Sequence, residues 1–222
     1  GSAQVSRELV MPVSYRNRYR ALAQPFIGAR HATVTLNDRS LLVIGGSRGE
    51  FSLSEKVTRY DPATETFSDI GALGSGREYH SATSLADGRV LVIGGTLSQP
   101  SFRASELIDP SSGAVTHTGP LRLRRHGHTA TRLNDGRVLV TGGWGPDGDP
   151  SGLHASAEIW DPATGVFRML PSLMQSSRGG HTATLLDDGS VLVVGGFSGL
   201  DSYRFAERFD PATETFAAVP ST

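Results

Sequence analysis

Four short, almost wholly apolar runs punctuate the chain: Leu41–Ile44, Val90–Ile93, Val138–Thr141 and Val191–Val194. A run of four without polar alternation predicts a strand covered on both faces. Each run ends in a glycine pair, Gly45-Gly46, Gly94-Gly95, Gly142-Gly143 and Gly195-Gly196. A missing Cβ there lets a neighbouring backbone or ring come close. Before each run stands a second strand that opens on His31, His80, His128 or His181, always 14 residues before the first glycine. The two are joined by Asn37-Asp38-Arg39, Asp87-Gly88, Asn134-Asp135-Gly136 or Asp188-Gly189. Asp-Gly between strand-like runs predicts a tight hairpin. A third strand ends at Tyr60-Asp61-Pro62, Ile108-Asp109-Pro110, Trp160-Asp161-Pro162 and Phe209-Asp210-Pro211, where proline cannot donate to a ladder. A fourth carries Phe67, Val115, Phe167 or Phe216.

Successive histidines are 49, 48 and 53 residues apart, so one unit of four strands, a to d, recurs with a period near fifty. That period with four strands per unit predicts blades of a β-propeller. The glycine pair after an apolar strand and the aromatic beyond it resemble kelch repeats, in their bacterial form and in the central propeller of galactose oxidase. The resemblance covers about residues 30–220 and implies an all-β fold of four four-stranded blades, at about 27–73, 74–121, 122–173 and 174–220. Residues 1–26 read as an N-terminal extension, with Tyr15–Gln24 placed like a strand d. That strand is surplus, because the last blade already has its own near Thr215–Val219. A larger propeller, or an assembly through open blade edges, accommodates the surplus. An extension packed on a closed four-bladed ring is the alternative.

Because blade strands alternate in direction, the short a–b and c–d turns fall on one face and the long, divergent b–c and d–a connections on the other. Binding groups favour divergent loops over a rigid scaffold. On that face the sequence offers Arg48, Phe51, Phe102, Arg103, Trp144, His154, Tyr203 and Arg204 as ligand contacts. Arg77, Arg125 and Arg178, each three residues before a repeat histidine, are a second set of anion-binding candidates. Their structural alternative is pairing with Glu106, Glu158 and Glu207. The longest b–c segment spaces Asp147, Asp149, Ser151 and Glu158 as a calcium loop would, with Gly152 at the turn. The four repeat histidines suggest a metal ring, but a residue present in every blade is expected to serve the blade.

Composition narrows the chemistry. The 222 residues carry 21 Lys+Arg against 22 Asp+Glu, so no basic field for nucleic acid exists. There is no cysteine, hence no disulfide, thiolate site or thiol nucleophile, and the Tyr–Cys copper centre of galactose oxidase cannot be carried over. No apolar stretch is long enough to span a bilayer as a helix, and no secretory signal is visible, so secreted and cytoplasmic locations are both compatible. Gly143–Gly148 matches G-x-G-x-x-G, but no helix follows it. The expected function is recognition of a protein, anionic or carbohydrate ligand by the b–c and d–a face, without a cofactor other than the calcium weighed above. A propeller enzyme using mouth His and Arg on a carbohydrate or biosynthetic intermediate, and a self-assembling propeller segment, are the alternatives.

Overall fold

A computed structural model describes residues 29–47, 52–96, 103–148, 151–197 and 205–220. These residues contain sixteen strands and no helix. Blade 1 comprises β1 (Ala32–Thr35), β2 (Leu41–Ile44), β3 (Lys56–Asp61) and β4 (Thr66–Ala72); blade 2, β5 (Ser81–Ser84), β6 (Val90–Ile93), β7 (Ser105–Ile108) and β8 (Val115–His117). Blade 3 comprises β9 (Thr129–Arg132), β10 (Val138–Thr141), β11 (Ala157–Asp161) and β12 (Val166–Met169); blade 4, β13 (Thr182–Leu185), β14 (Val191–Val194), β15 (Ala206–Asp210) and β16 (Thr215–Ala218). Each blade is one antiparallel sheet in sequence order, and successive first strands pack on one another as β1, β5, β9, β13.

The apolar b strands do what their lack of alternation predicts. In blade 2, Val90 and Val92 pack with Leu42, Ile44 and Val57 of blade 1, while Leu91 and Ile93 pack with Val138, Val140 and Trp160 of blade 3. A third cluster joins Leu139 and Ile159 of blade 3 to Val191, Val193 and Phe209 of blade 4. Each such side chain, fully buried, contributes about 1.5–3 kcal/mol. The described residues thus form three seams among four blades. Among the described residues no blade covers the outer side of blade 4: in β14, Val191 and Val193 are buried while Val194 is 41% exposed.

Both short turns are closed by aspartates. Asp61, Asp109, Asp161 and Asp210 accept a hydrogen bond from the backbone N–H two residues on, as do Asp38, Asp87, Asp135 and Asp188 in the a–b turns. This is the Asx-turn. The turns of neighbouring blades meet, as expected: Asp38, Asp87 and Asp109 line one groove between blades 1 and 2.

Candidate functional site

The repeated residues form the seams. Arg77, Arg125 and Arg178 are at most 1% exposed and paired with Glu106, Glu158 and Glu207 of the blade that follows them in sequence. Arg125 shows the full pattern: its Nε reaches Glu158 at 3.0 Å, its Nη1 the carbonyls of Gly142 and Ser156, its Nη2 the Ser156 hydroxyl. Burial lowers the pKa of Arg77 and Arg125, and the partner glutamate opposes the shift. The backbone of each arginine then caps the previous blade. Gly46, Gly95 and Gly143 donate to the carbonyls of Arg77, Arg125 and Arg178 at 2.8, 2.9 and 2.8 Å. Blade 1 lacks both partners, with Gly28 at the arginine position and Thr58 at the glutamate position. These three arginines are therefore locked in the blades and present no guanidinium to a ligand, a correction to the anion-binding reading.

The histidines are part of the same seam. Gly45, Gly94 and Gly142 hold φ of 64°, 59° and 61°, and a Cβ on any of them would strike the imidazole of His80, His128 or His181 in the next blade. His128 Nε2 lies 2.9 Å from the Ser81 hydroxyl and His181 Nε2 3.0 Å from that of Thr129. Burial, with a nearby guanidinium, holds His80 down to about 3 and His181 to about 4, and pushes His128 well below the usual value. All three are neutral near neutrality, which removes them as acid–base groups there.

His80 is the exception within the series. Ala32 stands where Ser81 and Thr129 supply hydroxyls, and neither His80 nitrogen makes a hydrogen bond of ordinary geometry, although the Ile44 carbonyl is near. Ala32→Ser should therefore stabilise the chain by about 1 kcal/mol. Chemical denaturation should show a higher midpoint at unchanged slope; a lower midpoint would contradict the pairing.

Of the expected loop-face contacts, Arg48, Phe51, Phe102, Tyr203 and Arg204 lie outside the described residues, as do Asp149 and the Tyr15–Gln24 segment. Arg103 is exposed and donates to the Leu121 carbonyl at 2.6 Å. His154 is 2% exposed, with its ring nitrogen on the Arg124 carbonyl at 2.9 Å, so it supports the loop and does not face a ligand. In the calcium spacing, Glu158 accepts from Arg125 and from the Arg122 and Leu123 N–H groups, each carboxylate oxygen being engaged. Asp147 pairs with Arg124, whose hydrogen bonds hold it at about 2, and Ser151 is exposed. Among the described residues no group of three or more His, Cys, Asp or Glu gathers as a metal site.

Trp144 belongs to a feature that the repeat alone does not announce. It is half-buried, laid over Gly127 of its own blade and over Gly179 and Gly180 of the next. Its ring stacks on His126 at 5.9 Å and 26°, His126 meets Tyr79 at 6.1 Å, and the Arg30 guanidinium sits 4.9 Å over the Tyr79 ring. Arg30 also pairs with Glu78 at 3.2 Å, which raises its pKa. A row of cation and rings thus crosses three blades where the d–a connections enter the innermost strands. Arg30 and Tyr79 hold φ of 60° and 54°, where the other two copies have Gly127 and Gly180. Side chains seldom occupy this left-handed region. Arg39, Glu65 and Glu214 do so as well, but in the short turns.

Radially stacked four-stranded antiparallel sheets, each sending its long connections to one rim, define the β-propeller class. The kelch motif family model matches residues 124–174, from Arg124 through strand β12 of blade 3. A 67-residue segment is 37% identical to an F-box/kelch-repeat protein of Arabidopsis thaliana, covering 29% of this chain and 17% of that protein. The chain therefore spans a small part of that relative's length. These matches, with four blades in one register, support kelch repeats in this chain. Kelch repeats generally mediate protein interactions.

Proposed function

We propose that the chain is an interaction module that takes a protein partner on the rim formed by its b–c and d–a connections. The Arg30–Tyr79–His126–Trp144 row carries this reading. It offers rings and a guanidinium together, the side chains over-represented in binding hot spots, on a frame of buried seams. Tyr79 is 41% exposed and keeps a left-handed backbone that glycine would hold without strain. Strain retained at an exposed ring is expected where the ring is used. The opposite face offers less: its grooves are lined by turn aspartates already bonded to their own turns.

Selection against an immobilised peptide library, with a glycan array beside it, tests the proposal. Peptides selected by the wild type should lose on the order of 30-fold in affinity to Tyr79→Gly, as for a hot-spot ring. The exposed Arg103→Ser should weaken them to a lesser degree, and the turn-face control Arg89→Ser should leave them unchanged. Tyr79→Gly should also raise the thermal midpoint, since it removes the left-handed strain. Peptide binding that survives Tyr79→Gly and Arg103→Ser but is lost in Arg89→Ser would contradict the assignment. Capture of glycans alone would replace the protein partner with a carbohydrate.

A further inference from the structure

We infer that two copies of this chain close head to tail, the outer side of blade 4 of each receiving blade 1 of the other, into one eight-bladed ring. The three internal seams share one construction, and the two ends of the arc present its two halves. On the blade 4 side, Gly196 is the counterpart of Gly46, Gly95 and Gly143, which all donate to an arginine carbonyl of the next blade. Gly196 has no such bond among the described residues.

A second ladder runs along the rim. Tyr79 N–H donates to Arg30 O at 3.1 Å, Gly127 N–H to Tyr79 O at 2.9 Å, and Gly180 N–H to Gly127 O at 2.9 Å. Among the described residues it stops with an acceptor, the Gly180 carbonyl, at one end and a donor, the Arg30 N–H, at the other. An end with an acceptor and an end with a donor, in one register, are the two sides of one more seam.

The side chains agree. In blades 2 and 3, Ile93 and Thr141 are fully buried under the following blade, whereas Val194 at the same position is 41% exposed and Phe197 beyond it 57%. Trp144, the counterpart of Phe197, lies over the next blade's Gly179 and Gly180. At the other end, the Tyr60–Phe67 ring pair of blade 1, tilted at 42°, is half-buried, while its counterparts Trp160 and Phe167 pack wholly onto blade 2. Among the described residues, the first strand of blade 1 does not pack on that of blade 4 as successive first strands do, and no described residue seals this seam. A heterologous contact gives a finite assembly only if its rotation closes. Two copies of the four described blades make eight, within the range propellers adopt, and three copies would exceed it.

Light scattering after size exclusion, at micromolar concentration, should give twice the chain mass of 23.5 kDa. Val194→Glu and Leu41→Lys, one on each end face, should each be monomeric while keeping the wild-type far-UV spectrum. Their equimolar mixture should return to the dimer mass, because one of the two junctions then joins two unaltered faces. Should Leu41→Lys lose its cooperative melt, Tyr60→Lys takes its place. A monomeric or trimeric wild type, a single variant that stays dimeric, or a mixture that stays monomeric would overturn the inference.

Discussion

Arg125→Met should lower the unfolding free energy by about 3–5 kcal/mol, the usual consequence of leaving one partner of a buried ion pair alone. Against a typical domain stability of about 5–15 kcal/mol, this is a large fraction. Arg125 and Glu158 are both 0% exposed. Removing the guanidinium leaves a carboxylate inside the blade and takes a donor from the carbonyls of Gly142 and Ser156, the latter keeping only the Gly142 N–H at 3.2 Å. It also loosens the connection whose Arg125 carbonyl caps Gly95 of blade 2. The double variant Arg125→Met/Glu158→Leu should recover part of the loss, since no unpaired charge remains. Recovery should be incomplete, because Glu158 also holds the N–H groups of Arg122 and Leu123. Urea unfolding of the four forms gives the coupling directly. A loss below about 1 kcal/mol for Arg125→Met would fit an exposed pair and contradict a seam role.

Acid should weaken the fold well before the carboxylates titrate. His80, His128 and His181 are neutral in the folded chain because burial lowers their pKa values, two of them to about 3 and 4, from 6.5 in the open chain. Below 6.5 the unfolded state binds protons that the folded state refuses, so stability falls as pH falls. Their contribution is complete above pH 6.5 and declines down to the folded values. Each histidine adds a slope of up to about 1.4 kcal/mol per pH unit, so three acting together give up to about 4. Denaturation midpoints measured between pH 7 and about 4 should trace this slope, and His128→Gln should reduce it by roughly a third. Stability independent of pH over that window would show that the rings are solvated and not seated in the seams.

The architecture was legible because it is written four times. The apolar b runs, the Asp-Gly hairpins and the Asp-Pro stops each predicted their element, and the strands observed at Leu41–Ile44, Val90–Ile93, Val138–Thr141 and Val191–Val194 coincide with those runs. Repetition also pointed to Glu106, Glu158 and Glu207 as the arginine partners. The joint absence of arginine and glutamate from blade 1 is the same signal read inside one chain. The rim row was harder to see. Trp144 was visible as an isolated aromatic, and its stack on His126 follows from a bridge within blade 3; the row continues only because Tyr79 of blade 2 and Arg30 of blade 1 line up beside it, and no spacing within one repeat encodes that. His154 misled for a related reason: it lies in a divergent loop, yet its ring bonds the Arg124 carbonyl and its backbone bonds Gly143 and Arg178, which hold it inward. The Asp147–Glu158 spacing gave no sign that Arg124 and Arg125 pair with those two carboxylates.

Four blades held by three equivalent seams, with the first and last faces apart within one chain, is the claim on which the rest depends. Because the chain has no cysteine, spin labels can be placed at will on the exposed c–d turns. Thr64, Ser112 and Thr213 occupy equivalent turns in blades 1, 2 and 4. In a Val194→Glu background, electron–electron double resonance should give a longer distance for the 64–213 pair than for the 64–112 pair. Equal distances would mean that blade 4 touches blade 1 as blade 2 does, a closed four-bladed ring, and would contradict the open arc.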